Sequence, residues 1–524
     1  ESKEEHISLG ENVAICTGIT QAKFKDKDGF LVRVTLVFVN TKRSAEKTAE
    51  DISNKIKTND ETLEELSEKA LKALSRPTKQ CERLAKCVKK GIAFHHAGLV
   101  SKQRELIEDN FRNGAIKIIC ATPTLAFGLD LPAFRSIIKD LKRYGSHGLS
   151  YIPVLEYLQM SGRAGRPKFD KFGETICVAI SDNDKKKIYE RYILGEPEEI
   201  YSKLAVEPVL RTYLLSLIAA NFVNTKKEIV DFFGKTFWAY QFVDMSRLEQ
   251  IIDKMLDLLE EWEFIQGHDK KDFTTADKLN DERINATNMG KRVAELYLDP
   301  LTAYFFMACL RNASDRKINE FSFLQMVSHT LEMRPLLRVS IREGEKIQQE
   351  LLKFYDFLLE KEPSLYEPEY EDFANSIKTA LMMHEWINEK DEEYLLENYN
   401  ARPGEVRGKL ELADWLLYAS EEISRILHYQ YLNKEIVKLR LRLRHGVKEE
   451  LLPLIRLQDI GRVRARKLYT NKIKDIKDIK NADVAVLNQI LGKQVALSIK
   501  KQVGQEVIPV KEGKRKGQIS LEDY

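Results

Sequence analysis

Zinc and disulfide chemistry are the first things this sequence fails to provide. Its six cysteines, at positions 16, 81, 87, 120, 177 and 309, form no C-x-x-C pair, and none of its nine histidines belongs to an H-E-x-x-H string. A structural zinc site and a disulfide scaffold are both unexpected, no metal ligands stand out, and a reducing, cytoplasmic compartment fits such cysteine usage. Cys120 and Cys177 lie inside apolar strand patterns and read as core thiols. No apolar run approaches the ~20 residues that a membrane span needs, and no secretory signal pattern is present. Charge of either sign is scarce in the balance. The net value is only +3, so the global field selects no partner and any nucleic-acid site must come from local clusters. A phosphate-cradling G-x-x-x-x-G-K-[ST] loop is also missing. Gly234-Lys235-Thr236 supplies its last three positions, but residue 229 is an isoleucine, so Lys235 receives no nucleotide role.

What is present is enough chain for roughly three to five domains, with 43% hydrophobic and 31% charged residues. VTLVFV from Val34 reads as a buried strand, followed by Asn40, Thr41 and the amphipathic KRSAEKTAEDISNKI. GIAFHHAGL (Gly91 to Leu99) leads into the helical SKQRELIEDNFRNG, and IKIICA, RSIIKD and ETICVAI supply further strands. Strands alternating with helices predict a parallel sheet covered on both faces. Thr41, His96 and Thr122 all fall just past strand ends, which is where such sheets bind ligands. After Asp182 the pattern turns helical, with a small wing expected near EFIQ, and from about Asp299 to Gly446 it is almost wholly helical. The expected class is multidomain α/β plus all-α.

Between Arg135 and Val154, two β-capable runs flank Tyr144-Gly145-Ser146-His147-Gly148, which predicts a hairpin. Tyr144 falls near its tip, and an aromatic face there can stack on a base of any identity. Further on, Pro403-Gly404 is expected to break one helix and Glu405 to Leu427 to form the next. Val406, Leu410, Ala413 and Leu417 make its apolar stripe. Trp415 projects about 200° from Ala413, beside Gly408, Glu411 and Glu422 with Arg407 on a shoulder. Either a neighbouring domain or a ligand receives such a tryptophan. From Arg456 to Lys480, nine Lys or Arg against three Asp leave a local excess of six positive charges around Ile460-Gly461.

Two strings carry a family resemblance. ATPTLAFGLDLPA (Ala121 to Ala133) and QMSGRAGRP (Gln159 to Pro167) resemble motifs V and VI of superfamily 2 helicases, in their superkiller (Ski)-like form. The order of parts resembles the archaeal Holliday-junction-migration (Hjm) helicases and their animal relatives. The resemblance implies a second RecA-like domain at 1–195, a winged helix at 196–298, a helical ratchet domain at 299–446, a helix-hairpin-helix-like domain at 447–503 and a flexible tail at 504–524.

By the same resemblance Gln159, Arg163 and Arg166 are catalytic, and they bind ATP together with Gly128 and Asp130. Guanidinium forks set among small residues suit phosphate. Thr41, Arg43, His96 and Thr122 are expected to hold DNA, Tyr144 to part the duplex, Trp415 to stack on the single strand and Arg407 to grip it. Gly461, Arg462 and Arg464 would bind DNA phosphates. Gln518, Leu521 and Tyr524 fit the Q-x-x-Φ-x-x-[FY] box that docks on a sliding clamp. The implied protein is a monomeric 3′→5′ DNA helicase acting on single-stranded and forked DNA, in repair or restart of stalled forks and associated with the nucleoid or nucleus. The rivals are an RNA helicase of the same group and an ATPase-inactive DNA-binding fragment. The family's P-loop and its D-E-x-H acids, which serve ATP and Mg2+, are absent, and the chain opens at Glu1 without methionine. A further domain on the order of 150 to 200 residues is therefore expected before Glu1 or on another chain, and the chain alone is expected to be inactive.

Overall fold

A computed structural model describes residues 13–17 and 34–504, except 58–59, 75, 128–130, 132, 146–147, 166–171, 205, 242–244 and 268–282. The expected parallel sheet is present. Its strands are β1 (Val13–Thr17), β2 (Thr35–Phe38), β3 (Ile92–His95), β4 (Ile118–Ala121), β5 (Arg135–Ile138) and, later in the chain, Glu174–Ala179. Between them run α1 (Lys42–Ser53), α2 (Glu61–Leu71), α3 (Lys79–Val88) and α4 (Ser101–Arg112). A separate two-stranded ladder pairs β6 (Lys142–Gly145) with β7 (Gly148–Tyr151), and α5 (Val154–Ser161) precedes the Glu174–Ala179 strand, β8. α6 (Asp182–Ile188) follows it.

The strand order is β1-β8-β5-β2-β4-β3, every neighbouring pair parallel. β2, β3 and β4 are buried at every position, as strands covered by helices on both faces must be. Helices start where a side chain can satisfy the first free amides. Thr41 and Thr78 do this for α1 and α3, accepting from the Ser44 and Cys81 amides. The chain runs outward from β2 to β3, returns through β4 and then crosses β2 to reach β5. The carboxyl ends of β2, β4 and β3 therefore gather where the winding changes direction, the crevice in which open α/β sheets bind ligands. Cys120 and Cys177 are fully buried in this core, and burial pushes the Cys177 thiol up to about 12, as expected of packing thiols.

Two compact units make up the chain, the first at 1–301 with 391–411 and the second at 302–390 with 412–524. The first continues beyond the sheet through α7 (Glu207–Ala219), α8 (Lys226–Phe233), α9 (Phe237–Gln241) and α10 (Met245–Glu261). The short strands β9 (Ile265–Gln266) and β10 (Asn285–Ala286) pair antiparallel where the wing was expected, and α11 (Asn288–Glu295) follows. Arg211 donates two hydrogen bonds to Asp299, at 2.6 and 2.8 Å, from a buried position on α7.

α12 (Pro300–Asp315) leads into the second unit, which holds α13 (Glu320–Ser328), α14 (Gly344–Phe354) and the buried α15 (Tyr370–Ile387). α16 (Glu392–Tyr399) and α17 (Pro403–Ile426) come next. Pro403 is the first residue of α17, two positions before the expected start at Glu405, since a helix's first amide needs no partner. α18 (Gln430–His445) precedes a small C-terminal body of α19 (Arg462–Thr470), α20 (Ile476–Asn481), α21 (Val484–Leu491) and α22 (Lys493–Gln502). Leu451, Leu454, Leu468, Leu487 and Ile499 form its core. The helical stretch expected before Ile460 is there only as a short 3-10 turn, Glu449–Leu451, with further turns after it.

Candidate nucleic-acid interface

The two motif strings are stitched together by backbone. Ala133 pairs with Ala164 in a parallel bridge, the Ala133 amide donates to the Arg163 carbonyl at 2.8 Å, and the Gly165 amide donates back to Ala133 at 2.7 Å. A Cβ on Gly173 would meet the Gly165 nitrogen at 2.3 Å, so packing requires glycine at 173, while Gly165 itself has φ +93°, a conformation that favours glycine. Arg163, half-buried, donates from its guanidinium to the carbonyl oxygen of Ala126 in the motif V turn Pro123–Ala126. Its fork braces one string against the other. Gln159 is exposed on α5. Gly128, Asp130 and Arg166 lie outside the described residues, as do Gln518, Leu521 and Tyr524 of the tail.

A cleft of about 440 Å³ opens at the carboxyl ends of β2, β3 and β4. Asn40, Thr41 and Lys42 line it from the start of α1, Ala97 from the loop after β3, and Thr122, Pro123, Thr124 and Phe127 from the motif V turn. The far wall is Arg143 of β6 and Glu156 of α5, which form an ion pair at 2.9 Å. Thr41 and Thr122 thus meet in one cleft, as their positions past strand ends led us to expect. The Thr122 and Thr124 hydroxyls lie 3.0 Å apart. Hydroxyls, an ammonium and a guanidinium on one concave surface make a set of donors suited to phosphate oxygens. Arg143, Lys42 and Thr124 were not foreseen, because nothing in their local sequence distinguishes them from other surface residues.

His96 corrects the sequence reading. It is fully buried, so it has no surface to offer a nucleic-acid strand. Its Nδ1 accepts from the Gly98 amide at 3.1 Å, which leaves the proton on Nε2, 3.2 Å from Glu46 Oε1. Glu46 is the hub of a buried polar cluster. Gln80 donates to it at 2.9 Å, Arg83 at 2.5 Å and Arg402 at 3.0 Å. Burial acts to raise the Glu46 carboxyl, but hydrogen bonds from His96 and Gln80 and the charge of Arg402 prevail and hold it well below the usual carboxylate range. Desolvation lowers His96 despite that carboxylate.

Arg402 stands one residue before α17 and fastens the start of that helix to the sheet domain. The Gly404 amide donates to the Gly98 carbonyl at 3.0 Å, and Lys42 of the cleft pairs with Glu405. Pro403-Gly404, read from sequence as a helix break, is a docking point. Arg43 is exposed on α1 outside the cleft lining, and Arg407 is exposed on α17. Trp415 is half-buried, while Val406, Ala413 and Leu417 of the expected apolar stripe are buried.

Tyr144 pairs across the hairpin with Leu149, and the two are 83% and 56% exposed, an apolar step near the tip of the ladder. In the C-terminal body the expected phosphate contacts divide. Gly461 caps α19 and is exposed, as is Arg464, which donates to the Asp459 carbonyl at 2.7 Å. Arg462 is half-buried; its guanidinium lies 5.0 Å from the Trp386 ring centroid and donates to the Lys390 carbonyl at 2.7 Å. The basic run Lys438, Arg440, Arg442 and Arg444 is likewise engaged, with Glu435, Asp414, Glu320 and Asp414 respectively. Among the described residues no group of His, Cys, Asp and Glu could hold a metal ion, and no single helix is long and apolar enough to cross a membrane.

A six-stranded parallel sheet with the two motif strings bridged beside it fits the α/β C-terminal region of a helicase, and residues 31–168 match the family model "Helicase conserved C-terminal domain". Residues 321–446 match "Archaeal helicase, domain 4". The chain is 40% identical over 481 residues to the ATP-dependent DNA helicase Hel308 of Pyrococcus horikoshii, an overlap of 90% of this chain and 64% of that protein. It is 40% identical over 495 residues to the protein of that name from Pyrococcus abyssi (92% and 66%) and 37% identical over 513 residues to that of Methanococcus vannielii (90% and 66%). It belongs to the Hel308/Hjm-like family of superfamily 2 helicases, and it spans 64–66% of the length of these curated relatives.

Proposed function

We propose that this chain is the strand-holding, arginine-bearing part of an ATP-dependent 3′→5′ DNA helicase that works on forked DNA in the repair or restart of stalled replication forks. The observation that carries the reading is the cleft at the ends of β2, β3 and β4, where Thr41, Lys42, Thr122, Thr124 and Arg143 converge. A single strand lies there by its phosphates, which leaves its bases unread and the grip independent of sequence. Tyr144 and Leu149 meet the first base pair. Gln159, Arg163 and Arg166, with Gly128 and Asp130, form one lip of the nucleotide site and supply positive charge to the transferring phosphate. The P-loop lysine and the acids for Mg2+ belong to a further domain, because neither string occurs in these 524 residues, and alone they turn over no ATP. The residues after β8 act as a winged-helix brace, α17 presents Trp415 to the strand as a ratchet, and the exposed bases of the C-terminal body, Arg464 among them, contact duplex phosphates.

The relatives' name, ATP-dependent DNA helicase, supports DNA over RNA as substrate. Fluorescence anisotropy with a labelled single strand tests the grip. Thr122→Val and Arg143→Ala should each weaken binding by about tenfold, the size of one lost hydrogen bond to a charged group, with less dependence on salt for the arginine variant. Unchanged affinity in both would remove the cleft from the account, and tighter binding of a matched RNA strand would turn it toward RNA.

A further inference from the structure

The hairpin is held at its root by three carboxylates on three different elements. Asp184 of α6 accepts from Lys142 Nζ and from the Tyr151 hydroxyl, both at 2.8 Å and both on the same oxygen, Oδ1. These two donors are direct cross-strand partners, one on β6 and one on β7, so a single carboxylate clamps both strands. The Lys142 ammonium also lies 4.5 Å from the Tyr151 ring centroid. Glu156 takes Arg143, one residue further out on β6. Asp140, in the loop after β5, accepts from the Asn40 amide at 3.2 Å, and the Asn40 side chain donates to the Lys142 carbonyl. Asp184 and Glu156 are largely buried, with side chains 13% and 10% exposed, and Asp140 is half-buried. One residue beyond this collar the tip pair, Tyr144 and Leu149, is exposed.

The contrast is mechanical. A two-stranded ladder has little stability of its own in water, and a wedge that bends under load parts no base pairs. Here the root is tied to Asn40 after β2, to α5 and to α6; Asn40 and Glu156 also line the cleft, and α5 carries Gln159. We propose that Asp184 and Asp140 are positioning residues that hold the hairpin stiff against the motor domain, so that Tyr144 stays at the junction while the strand occupies the cleft. This rests on the strand-parting reading above. Neither carboxylate lines the cleft, and the partners of Asp184 do not line it either, so loss of Asp184 loosens the wedge and spares the grip.

The test uses the 524-residue chain and a forked DNA carrying 2-aminopurine at its first base pair, whose fluorescence rises when that base unstacks. The unaltered chain should raise it on binding. Asp184→Ala and Asp140→Ala should each cut the rise at least fivefold while still melting in a single cooperative transition, and Asp184→Ala should keep affinity for a single-stranded oligonucleotide within twofold of the parent. Asp184→Asn, which keeps an acceptor for both donors, should restore most of the signal, an outcome that general loss of structure would not give. A full rise in the Asp140→Ala/Asp184→Ala double variant overturns the proposal while leaving the strand-parting reading in place. No rise with the unaltered chain, or a rise unaffected by Tyr144→Ala, overturns the strand-parting reading and the collar with it.

Discussion

At the scale of single residues the strongest constraint is Glu46, a buried carboxylate with four polar side chains turned toward it. Removing one member of a buried charge cluster leaves the others desolvated and unpaired, which costs about 3–5 kcal/mol. Glu46→Ala should lower the urea midpoint of the sheet domain accordingly, and Glu46→Gln should cost less because it keeps an acceptor. The pH dependence has a definite sign. Both Glu46 and His96 are held below their ordinary values, so the unfolded chain binds more protons than the folded one and stability falls in acid. The histidine's contribution starts to be lost as pH drops below about 6.5, its unfolded value, and that of Glu46 only below its unfolded 4.5. Denaturation midpoints between pH 7.5 and 5.5 should decline in the parent and stay flatter in a His96→Gln variant.

Elements show where sequence reading worked and where it stopped. Alternating apolar runs and glycine-containing turns were enough for five of the sheet's six strands, all but β1, and for the hairpin and the placement of Thr41 and Thr122 at strand ends, because local periodicity encodes burial directly. The two motif strings were legible for the same reason that they are short and contiguous. What joins distant parts was not. Arg402 and Glu46 are 356 residues apart, and the collar around the hairpin draws on residues 140, 156 and 184, each an ordinary surface acid in its own neighbourhood. His96 shows the reverse error, since residue type and position after a strand say nothing about whether a side chain faces solvent or the core.

Pro403-Gly404 makes the same point on α17. Proline and glycine together read as punctuation, but a Cβ on Gly404 would lie 2.4 Å from the carbonyl oxygens of both Ala97 and Leu99. Glycine is there because two backbones touch. Gly404→Ala should therefore destabilise by about 1–3 kcal/mol, as overpacking does, despite alanine's better helix propensity. Gly408→Ala on the same helix, where a Cβ meets nothing within 4 Å, should be stabilising or neutral. Equal effects at the two sites in urea titrations would remove the docking explanation.

For the molecule as a whole, the family and the geometry divide the labour. Membership of the Hel308/Hjm-like family accounts for the sheet domain and the later helical region, which match two separate family models. In the function proposed above, the cleft, the stitched motif pair and the collared hairpin would let one domain border a nucleotide and a nucleic-acid strand together. The central claim is that a single strand runs through the cleft at the ends of β2, β3 and β4. Photo-crosslinking tests it most directly. A single strand bearing photoreactive nucleotides, bound to the chain and mapped by peptide mass spectrometry, should attach chiefly within 40–43, 122–127 and 142–151, and Thr122→Val with Arg143→Ala should abolish those attachments. Crosslinks confined to the C-terminal body, with none in these three segments, would contradict the account.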